Sequence, residues 1–203
     1  MPLRSGIELQ LHELSLMSPL GYSVALHFRA ALPLLLHQTY PADWVARYNE
    51  DSFGLRDPLF AWGYGTIGTA RWSEIQMPDP FDILGQARDF GLIYGLVVSC
   101  GPVSSRTVAS ASRSDREFSD AEIESFARLI HTLHDMIEPP TKLTKAQADA
   151  LRLIAEGHRY VAAAAKLNIS ESALKARLNS ARQSLLARTT AEAVQRARDY
   201  RLI

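Results

Sequence analysis

The chain has little cysteine and no long apolar run. Of its 203 residues, Cys100 is the one cysteine, which excludes an internal disulfide framework and a cysteine-rich zinc site. No stretch of 18 consecutive apolar residues is present, so we expect neither a membrane span nor a membrane partner. The first residues lack the charged segment, apolar run and cleavage site of a signal peptide. With a lone thiol that suits a reducing compartment, this predicts a cytoplasmic protein.

Catalytic and metal-binding motifs are also missing from the sequence. There is no G-x-S-x-G nucleophile motif, and no histidine is spaced as a partner for Cys100. His131 and His134 share a helical face, but no third metal ligand is evident beside them. We therefore expect no enzyme activity, no metal and no cofactor. The histidines considered are His12, His27, His37, His131, His134 and His158.

Charge is present but unevenly placed. The whole chain is formally neutral, yet residues 1–140 hold 10 Lys and Arg against 17 Asp and Glu, a net charge of −7. Residues 141–203 hold 12 against 5, a net charge of +7. Such a split indicates a basic module that meets a polyanion, joined to one that does not. A solvated basic surface would give the same count.

The first part of the chain mixes strand-like and helix-like segments. YSVALHFRA, YGLVVSC and RTVASAS are short, apolar or alternating, and bounded by Gly, Pro or Ser, which is typical of strands. ADWVARYNED and FDILGQARDFG are typical of helices. A helix over 119–138 begins with an S-x-x-E capping box and is stopped by Pro139. We predict an α/β domain (an α-β-α sandwich) over residues 1–138, followed by a linker at 139–142.

The last part of the chain, 143–203, has the pattern of four short helices. The first is capped by Thr144, and the second ends near Asn168, a residue that tolerates left-handed backbone geometry. Ser170 then caps the third helix. Two short helices joined by a tight turn, with a capped helix following, are the layout of a helix-turn-helix. We therefore predict a small all-α, four-helix DNA-binding domain.

The third of these helices has two distinct faces. Its apolar residues, spaced by three and four, form a buried stripe made of Leu174, Leu178, Ala181 and Leu185. Lys175 and Asn179 point outward together, where Lys can donate to guanine and Asn can pair with adenine or phosphate. Arg177 and Arg182 lie at the margins, where phosphate contact is natural. An ordinary solvated face is the alternative. The predicted DNA-contacting residues are Ser170, Ser172, Lys175, Arg177, Asn179 and Arg182.

Residues 39–74 gather aromatic side chains with polar tips around one carboxylate. If ADWVARYNED is helical, Trp44 and Tyr48 lie one turn apart and face the same way. Three interpretations are open: a core, a catalytic site, or a pocket for a small polar molecule. The residues concerned are Tyr40, Trp44, Tyr48, Asp57 and Trp72, at intervals of four, four, nine and fifteen.

Both parts resemble one known family. In the helical stretch, the residues that show the resemblance include Leu143–Thr144, Leu151, Ala155–Gly157, Leu174–Lys175 and Leu202–Ile203. Over its whole length and without a gap, it resembles the LuxR-type helix-turn-helix. The aromatic spacing and the later DFGLIYGL segment, with Gly95 as the match, resemble the same family's N-terminal domain, which binds N-acyl-homoserine lactones. The resemblance implies a quorum-sensing transcriptional regulator that binds lactone and double-stranded DNA as a homodimer.

The resemblance also implies a role for each polar tip. A carboxylate only accepts hydrogen bonds, so Asp57 suits the amide N–H of the lactone. An indole N–H only donates, so Trp44 suits the lactone carbonyl. One or both of Tyr40 and Tyr48 are assigned to the amide carbonyl.

Two further residues complete the expected pocket. Trp72 supplies a flat apolar wall that requires no polar partner. Ser110, on the strand-like RTVASAS, adds a hydroxyl. Two alternatives remain open: a regulator that acts without lactone, and an antagonist that sequesters a related regulator in heterodimers.

The helical stretch departs from the family pattern in two places. Gln147 stands where an acidic residue is usual. Ala163 stands where a larger apolar residue is usual, and its small side chain removes packing between helices, which costs a few kcal/mol unless neighbours fill the space. We expect Tyr160 or Val161 to fill it.

Overall fold

The computed structural model of the chain describes residues 2–29, 32–137 and 142–203. The chain divides into two compact units, Met1–Glu138 and Pro139–Ile203, named here the α/β unit and the helical unit. The predicted linker at 139–142 falls, apart from Lys142, outside the described residues. No helix within the described ranges is long and apolar enough to cross a lipid bilayer.

One five-stranded sheet forms the centre of the α/β unit. Its strands are β1 (Tyr22–Arg29), β2 (Leu32–Gln38), β3 (Gly68–Arg71), β4 (Tyr94–Cys100) and β5 (Arg106–Arg113). The order across the sheet is β2-β1-β5-β4-β3, and the neighbouring strands are antiparallel. The register of β1 against β5 shifts between Ala25 and Phe28, where His27 has a φ of 52°.

Helices cover both faces of this sheet. They are α1 (Pro2–Met17), α2 (Ala42–Glu50), α3 (Pro58–Gly65), α4 (Ile83–Asp89) and α5 (Asp120–Met136). On one face, His134 Nδ1 of α5 lies 2.8 Å from Thr107 Oγ1 of β5, and α1 packs on α5. On the other face, Gly63 of α3 lies against the side chain of Val108, the next residue of β5. The predicted α/β class is confirmed, with an antiparallel sheet.

The helices α2 and α4 lie on the same face as α3. Trp44 of α2 and Ile83 of α4 pack in one cluster with Trp72. The indole Nε1 of Trp72 donates to Ser110 Oγ, and Ser110 lies two residues beyond Val108 on β5, so both face α3. This face of the sheet, with its three short helices, is where the predicted ligand residues meet.

In the helical unit, residues 142–203 form four helices: α6 (Lys145–Ala155), α7 (Tyr160–Lys166), α8 (Glu171–Ser184) and α9 (Thr190–Asp199). Thr144 caps α6 by accepting from the backbone N–H of Gln147, and Ser170 caps α8 by accepting from Ala173. Between α7 and α8, Asn168 takes the left-handed conformation with a φ of 52°. The sequence correctly predicted these caps and this turn, because each depends on residues only a few positions apart.

The core of the helical unit follows the apolar stripe of α8. Leu174, Leu178, Ala181 and Leu185 are all at most 2% exposed. Ala163 of α7 is fully buried, so the helices close around the small side chain. The expectation that Val161 fills space beside it is wrong, because Val161 is 70% exposed. Tyr160 is half-buried, and its hydroxyl lies 3.5 Å from Thr190 Oγ1 of α9.

Candidate functional site

A cavity of about 670 Å³ lies between the sheet and the helices α2, α3 and α4. Its volume is within the usual range for small-molecule sites, roughly 300–1,000 Å³. The six residues predicted to bind ligand, which are far apart in sequence, all line it: Tyr40, Trp44, Tyr48, Asp57, Trp72 and Ser110. The structure therefore brings the whole predicted set together.

Asp57 is held by the start of α3. Pro58 occupies the first helical position, and Asp57 Oδ1 accepts a hydrogen bond from the backbone N–H of Leu59 at 2.7 Å. Its other oxygen, Oδ2, accepts from the hydroxyl of Tyr48 at 2.6 Å. Burial raises the pKa of the Asp57 carboxyl, while the Tyr48 hydroxyl and the backbone donors oppose the shift. A carboxylate has about four acceptor positions, so two donors leave capacity for a third.

The two tyrosines are used differently. The Tyr48 hydroxyl already donates to Asp57, and its pKa is raised first by burial and then by that neighbouring charge. The Tyr40 hydroxyl is buried and has no hydrogen-bond partner of good geometry among the described residues. Burial also raises the pKa of Tyr40, and the nearby Ser110 hydroxyl opposes this shift without forming a hydrogen bond of good geometry, since Ser110 already donates to Leu96. An unpaired buried hydroxyl is costly, so Tyr40 is the tyrosine with a donor to offer a ligand.

Trp44 presents a second free donor. Its side chain is 5% exposed and packs among Phe53, Phe90 and Tyr48 at ring-centroid distances between 5.4 and 6.2 Å. No described residue accepts a hydrogen bond from its indole N–H, whereas a buried indole normally finds an acceptor. Because Trp44 lines the cavity, that N–H can serve a carbonyl oxygen placed there.

Trp72 departs from the expected role of a wall without a polar partner. Its indole Nε1 donates to Ser110 Oγ at 2.9 Å, and Ser110 in turn donates to the carbonyl of Leu96 at 2.8 Å. Ser110 therefore positions the ring. Gly95 makes room for it, because a Cβ on Gly95 would lie 2.1 Å from the Trp72 ring. A residue with a side chain at position 95 would therefore displace the Trp72 ring.

The rest of the lining is largely apolar and includes residues that the sequence did not single out. Phe28, Phe60 and Tyr64 form an aromatic trio, with ring centroids 4.6 to 5.9 Å apart. Leu36 and Leu55 line the cavity while being 55% and 86% exposed, so the part of the lining that they form borders solvent. Two sequence patterns could have identified these residues: the alternation of side chains along β1, which includes Phe28, and the i, i+4 spacing of Phe60 and Tyr64, which places them on one face of a helix.

Other reactive groups lie away from this cavity. Among the described residues, no group of three or more His, Cys, Asp and Glu side chains is arranged to hold a metal ion. Cys100 is buried, and burial raises the pKa of its thiol to about 11, so it is a poor nucleophile at neutral pH. His27 and His134 stack at 4.2 Å on the α5 face of the sheet.

The predicted DNA-contacting residues of α8 fall into two groups. Ser172, Lys175 and Asn179 are exposed, and Lys175 Nζ pairs with Glu171 at 2.6 Å. Arg177 is half-buried, and the Ser170 hydroxyl is used as the helix cap. Arg182 Nη2 donates to the backbone carbonyl of Arg188, where it ties α8 to the following turn.

Comparison with known families places the α/β unit. The autoinducer binding domain family matches residues 17–137, which is more than half of the chain. The HTH-type quorum-sensing regulator RhlR of Pseudomonas aeruginosa is 27% identical over 151 residues, which cover 68% of this chain and 63% of RhlR. The transcriptional activator protein RaiR of Rhizobium etli is 26% identical over 176 residues, which cover 78% of this chain and 73% of RaiR. The match thus spans less than two thirds of the length of RhlR.

Solved structures share the fold. The crystal structure of Escherichia coli SdiA is similar with a TM-score of 0.53 at 22% identity, covering 99% of this chain and 90% of SdiA. A structure of SdiA in complex with octanoyl-rac-glycerol has a TM-score of 0.53 at 21% identity, covering 96% and 88% of the two chains. The chain belongs to the autoinducer binding domain family.

Proposed function

We propose that the cavity binds an N-acyl-homoserine lactone. Such a molecule carries a lactone carbonyl, an amide N–H, an amide carbonyl and an apolar tail. Asp57 accepts from the amide N–H, Trp44 donates to the lactone carbonyl, and Tyr40 donates to the amide carbonyl. Tyr48 holds Asp57 in place by donating to its carboxyl group, and Trp72 forms the wall that Ser110 orients.

The observation that carries this proposal is the set of unused hydrogen-bonding positions around one cavity. The Tyr40 hydroxyl is a buried donor without a described partner, and the Asp57 carboxylate has a spare acceptor position. The indole N–H of Trp44, which lines the same cavity, makes no hydrogen bond to a described residue. A buried polar group without a partner costs about 1–3 kcal/mol. A ligand with two carbonyls and one N–H satisfies all three, and the apolar remainder of the lining suits an acyl tail.

Binding is expected to be coupled to stability. A ligand that binds only the folded protein stabilises it by about 2.7 kcal/mol when its free concentration is a hundred times Kd. Because the cavity lies between the sheet and three short helices, the ligand completes the packing of that face. The folded fraction of the protein therefore reports the concentration of the signal.

Native mass spectrometry of the protein produced with and without added lactones tests the proposal. The panel contains acyl-homoserine lactones of several chain lengths and an acyl glycerol with a matching tail, since SdiA is known in complex with octanoyl-rac-glycerol. We expect a one-to-one adduct with at least one lactone. Binding of the acyl glycerol alone would assign the cavity to an ester ligand, and no adduct with any compound would favour a regulator that acts without lactone.

For the helical unit we propose binding to double-stranded DNA, with two copies of the chain on paired half-sites. The observations in support are the excess of basic residues after position 140 and the short α7–turn–α8 arrangement. The outer face of α8 presents Ser172, Lys175 and Asn179 for base edges in the major groove. Arg177 flanks them for phosphate contact, whereas Arg182 and Ser170 shape the turn and the helix start.

A gel shift on genomic fragments at several salt concentrations tests DNA binding. Contacts to phosphates make log affinity fall linearly with log salt, by about 0.9 per phosphate. We expect Lys175→Ala to weaken binding about tenfold or more, because a good base contact contributes roughly 1–3 kcal/mol. The control is Lys145→Ala, which removes the same charge from α6. Absence of any shift, together with heterodimers formed with a related regulator, would support the antagonist alternative.

A further inference from the structure

The floor of the cavity changes from polar to apolar along the strands. The strand register aligns Gln38, Ser23 and Ser110 in one row across β2, β1 and β5. Two residues further along, it aligns Leu36, Ala25 and Val108, and beyond the irregularity in β1 it aligns Pro33 with Phe28. All of these residues line the cavity. The polar row is the one that contains Ser110 and contacts Trp72.

The apolar end is closed by an aromatic wall. Phe60 and Tyr64 lie on one face of α3 and meet Phe28 of β1 with ring centroids 4.6 and 5.9 Å apart. Beside them, α3 sits directly on the sheet, because Gly63 has no side chain and a Cβ there would lie 2.7 Å from Val108. The carbonyl of Gly63 also accepts from Ser99 of β4. A tail that reaches this end of the cavity meets three packed aromatic rings.

The distance between the two ends sets a length. From the level of Ser110 to the level of Arg106, which pairs with Phe28, β5 advances four residues, or roughly 13 Å at 3.3 Å per residue. An extended chain advances about 1.2 Å per bond, as in a polypeptide backbone whose three bonds span roughly 3.6 Å. The space therefore takes about 11 bonds.

We propose that the preferred lactone carries a long unbranched acyl chain of about ten to twelve carbons, with its end against Phe28, Phe60 and Tyr64. This rests on the proposed lactone function. The carbonyl end lies at Tyr40 and Ser110, and the tail runs above Ala25 and Val108. The other path for a tail runs past the exposed side chains of Leu36 and Leu55 into solvent and would set no upper length.

The first test is the Kd of the full chain for unbranched lactones of four to fourteen carbons, measured by isothermal titration. Each buried methylene contributes roughly fourfold in affinity. We expect Kd to fall about fourfold per added methylene up to ten or twelve carbons and then to stop falling. A Kd that is flat from four carbons, or still falling at fourteen, would overturn the proposal. Failure of every lactone to bind would instead overturn the lactone function itself.

The second test moves the wall. Ala25→Leu places a larger side chain midway along the floor, and we expect the break in the series to shift to chains two to four carbons shorter. Phe60→Ala opens the wall, and the break should shift to longer chains, so either variant is informative if the other does not fold. Leu55→Ala, where the lining borders solvent, is the matched comparison. If it alone weakens the longest lactones, while the break stays in place in the other two variants, the tail runs past Leu55 into solvent and the proposal is wrong.

Discussion

In the helical unit the side-chain amide of Gln147 is buried and paired on both ends. Its oxygen accepts from the backbone N–H of Thr144 at 2.9 Å, and its nitrogen donates to Ser180 and Ser184 on α8 at 2.9 and 3.3 Å. In the α/β unit the buried hydroxyl of Tyr40 has no partner among the described residues. The two residues thus differ: the buried polar group of Gln147 is fully paired, and that of Tyr40 is not.

Under the proposed function, this difference separates a structural residue, Gln147, from a binding residue, Tyr40. A fully paired buried group contributes to one fixed packing, and Gln147 joins α6 to α8 in this way. An unpaired group lowers stability by about 1–3 kcal/mol until something fills its position. Because Tyr40 shares one cavity with Trp44 and Asp57, a single ligand can pair with the unpaired hydroxyl and also bond to the other two side chains.

The largest effect should come from Asp57→Asn. The carboxylate of Asp57 has two accepting oxygens, whereas the amide of asparagine has one. That single oxygen cannot accept from Leu59, Tyr48 and a ligand N–H together, so the ligand loses its acceptor. A hydrogen bond to a charged group contributes about 1.5–3 kcal/mol, so lactone affinity should fall by about ten- to a hundredfold. Isothermal titration measures the fall, and Glu124→Gln, on the exposed face of α5, is the control. Equal affinity in Asp57→Asn and the wild type would contradict the assigned position of the amide.

Gly95→Ala should have the next largest effect. The new methyl group would lie 2.1 Å from the Trp72 ring, so the ring must leave its place beside Ser110. Overpacking of this kind costs about 1–3 kcal/mol in the free energy of unfolding, which thermal denaturation measures. Gly65→Ala is the matched control, because a Cβ on Gly65 meets nothing within 4 Å. An alanine there should raise stability by about 0.5–1 kcal/mol.

If Gly95→Ala and Gly65→Ala change the free energy of unfolding by the same amount, close packing against Gly95 does not fix the position of Trp72. Trp72→Phe combined with Gly95→Ala then serves as a check. The smaller ring leaves room for the methyl group, so part of the lost stability should return in the double variant.

The sequence predicted which residues line the cavity better than it predicted the hydrogen bonds among them. Trp44 and Tyr48 could be paired in advance, because one helical turn places them on the same side of α2. The hydrogen bond from Tyr48 to Asp57 could not be foreseen, since it depends on how α3 begins relative to α2. The bond from Trp72 to Ser110 joins residues 38 apart in sequence and exists only once β3 and β5 are placed in one sheet.

Elements were predictable where their signals are local. The caps at Ser119, Thr144 and Ser170 each involve a side chain and a backbone N–H three residues away. The helix α1 was missed because its apolar residues do not keep to one face: Leu14 is fully buried, but Leu16 is 66% exposed. The strand order was beyond the sequence, because it is set by packing between segments that are distant in the chain.

In the helical unit, Gln147→Ala tests whether the paired side-chain amide stabilises the contact between α6 and α8. The change leaves the Thr144 N–H and two serine hydroxyls without their partner, which should cost about 1–2 kcal/mol. Hydrogen-exchange mass spectrometry should show faster exchange in α6 and α8, with no change in lactone affinity. Gln195→Ala is the control, since Gln195 is exposed on α9 and bonds only within its helix to Asp199. Faster exchange in the α/β unit and none in α6 or α8 would contradict the structural role assigned to Gln147.

The smallest effect should be a pH dependence within the α/β unit. Hydrogen bonds, first from Arg116 and then from Ser119 and Arg113, hold the pKa of Glu122 well below its ordinary value of 4.5. A carboxyl with a lowered folded-state pKa adds stability above about pH 4.5 and loses it as the pH falls toward the folded-state value. Burial raises the pKa of Asp57 above its ordinary 3.8, so its contribution has the opposite sign and is lost as the pH rises. Glu122→Gln should therefore be less stable than the wild type at pH 7, by less than about 1 kcal/mol because of solvent screening. This difference in stability should disappear on acidification below pH 4.5.

Asp57→Asn should show the reverse trend with pH. Urea denaturation at a series of pH values measures the stability of both variants. Parallel pH profiles for the two variants would mean that the carboxyl groups of Glu122 and Asp57 do not differ in their electrostatic environment.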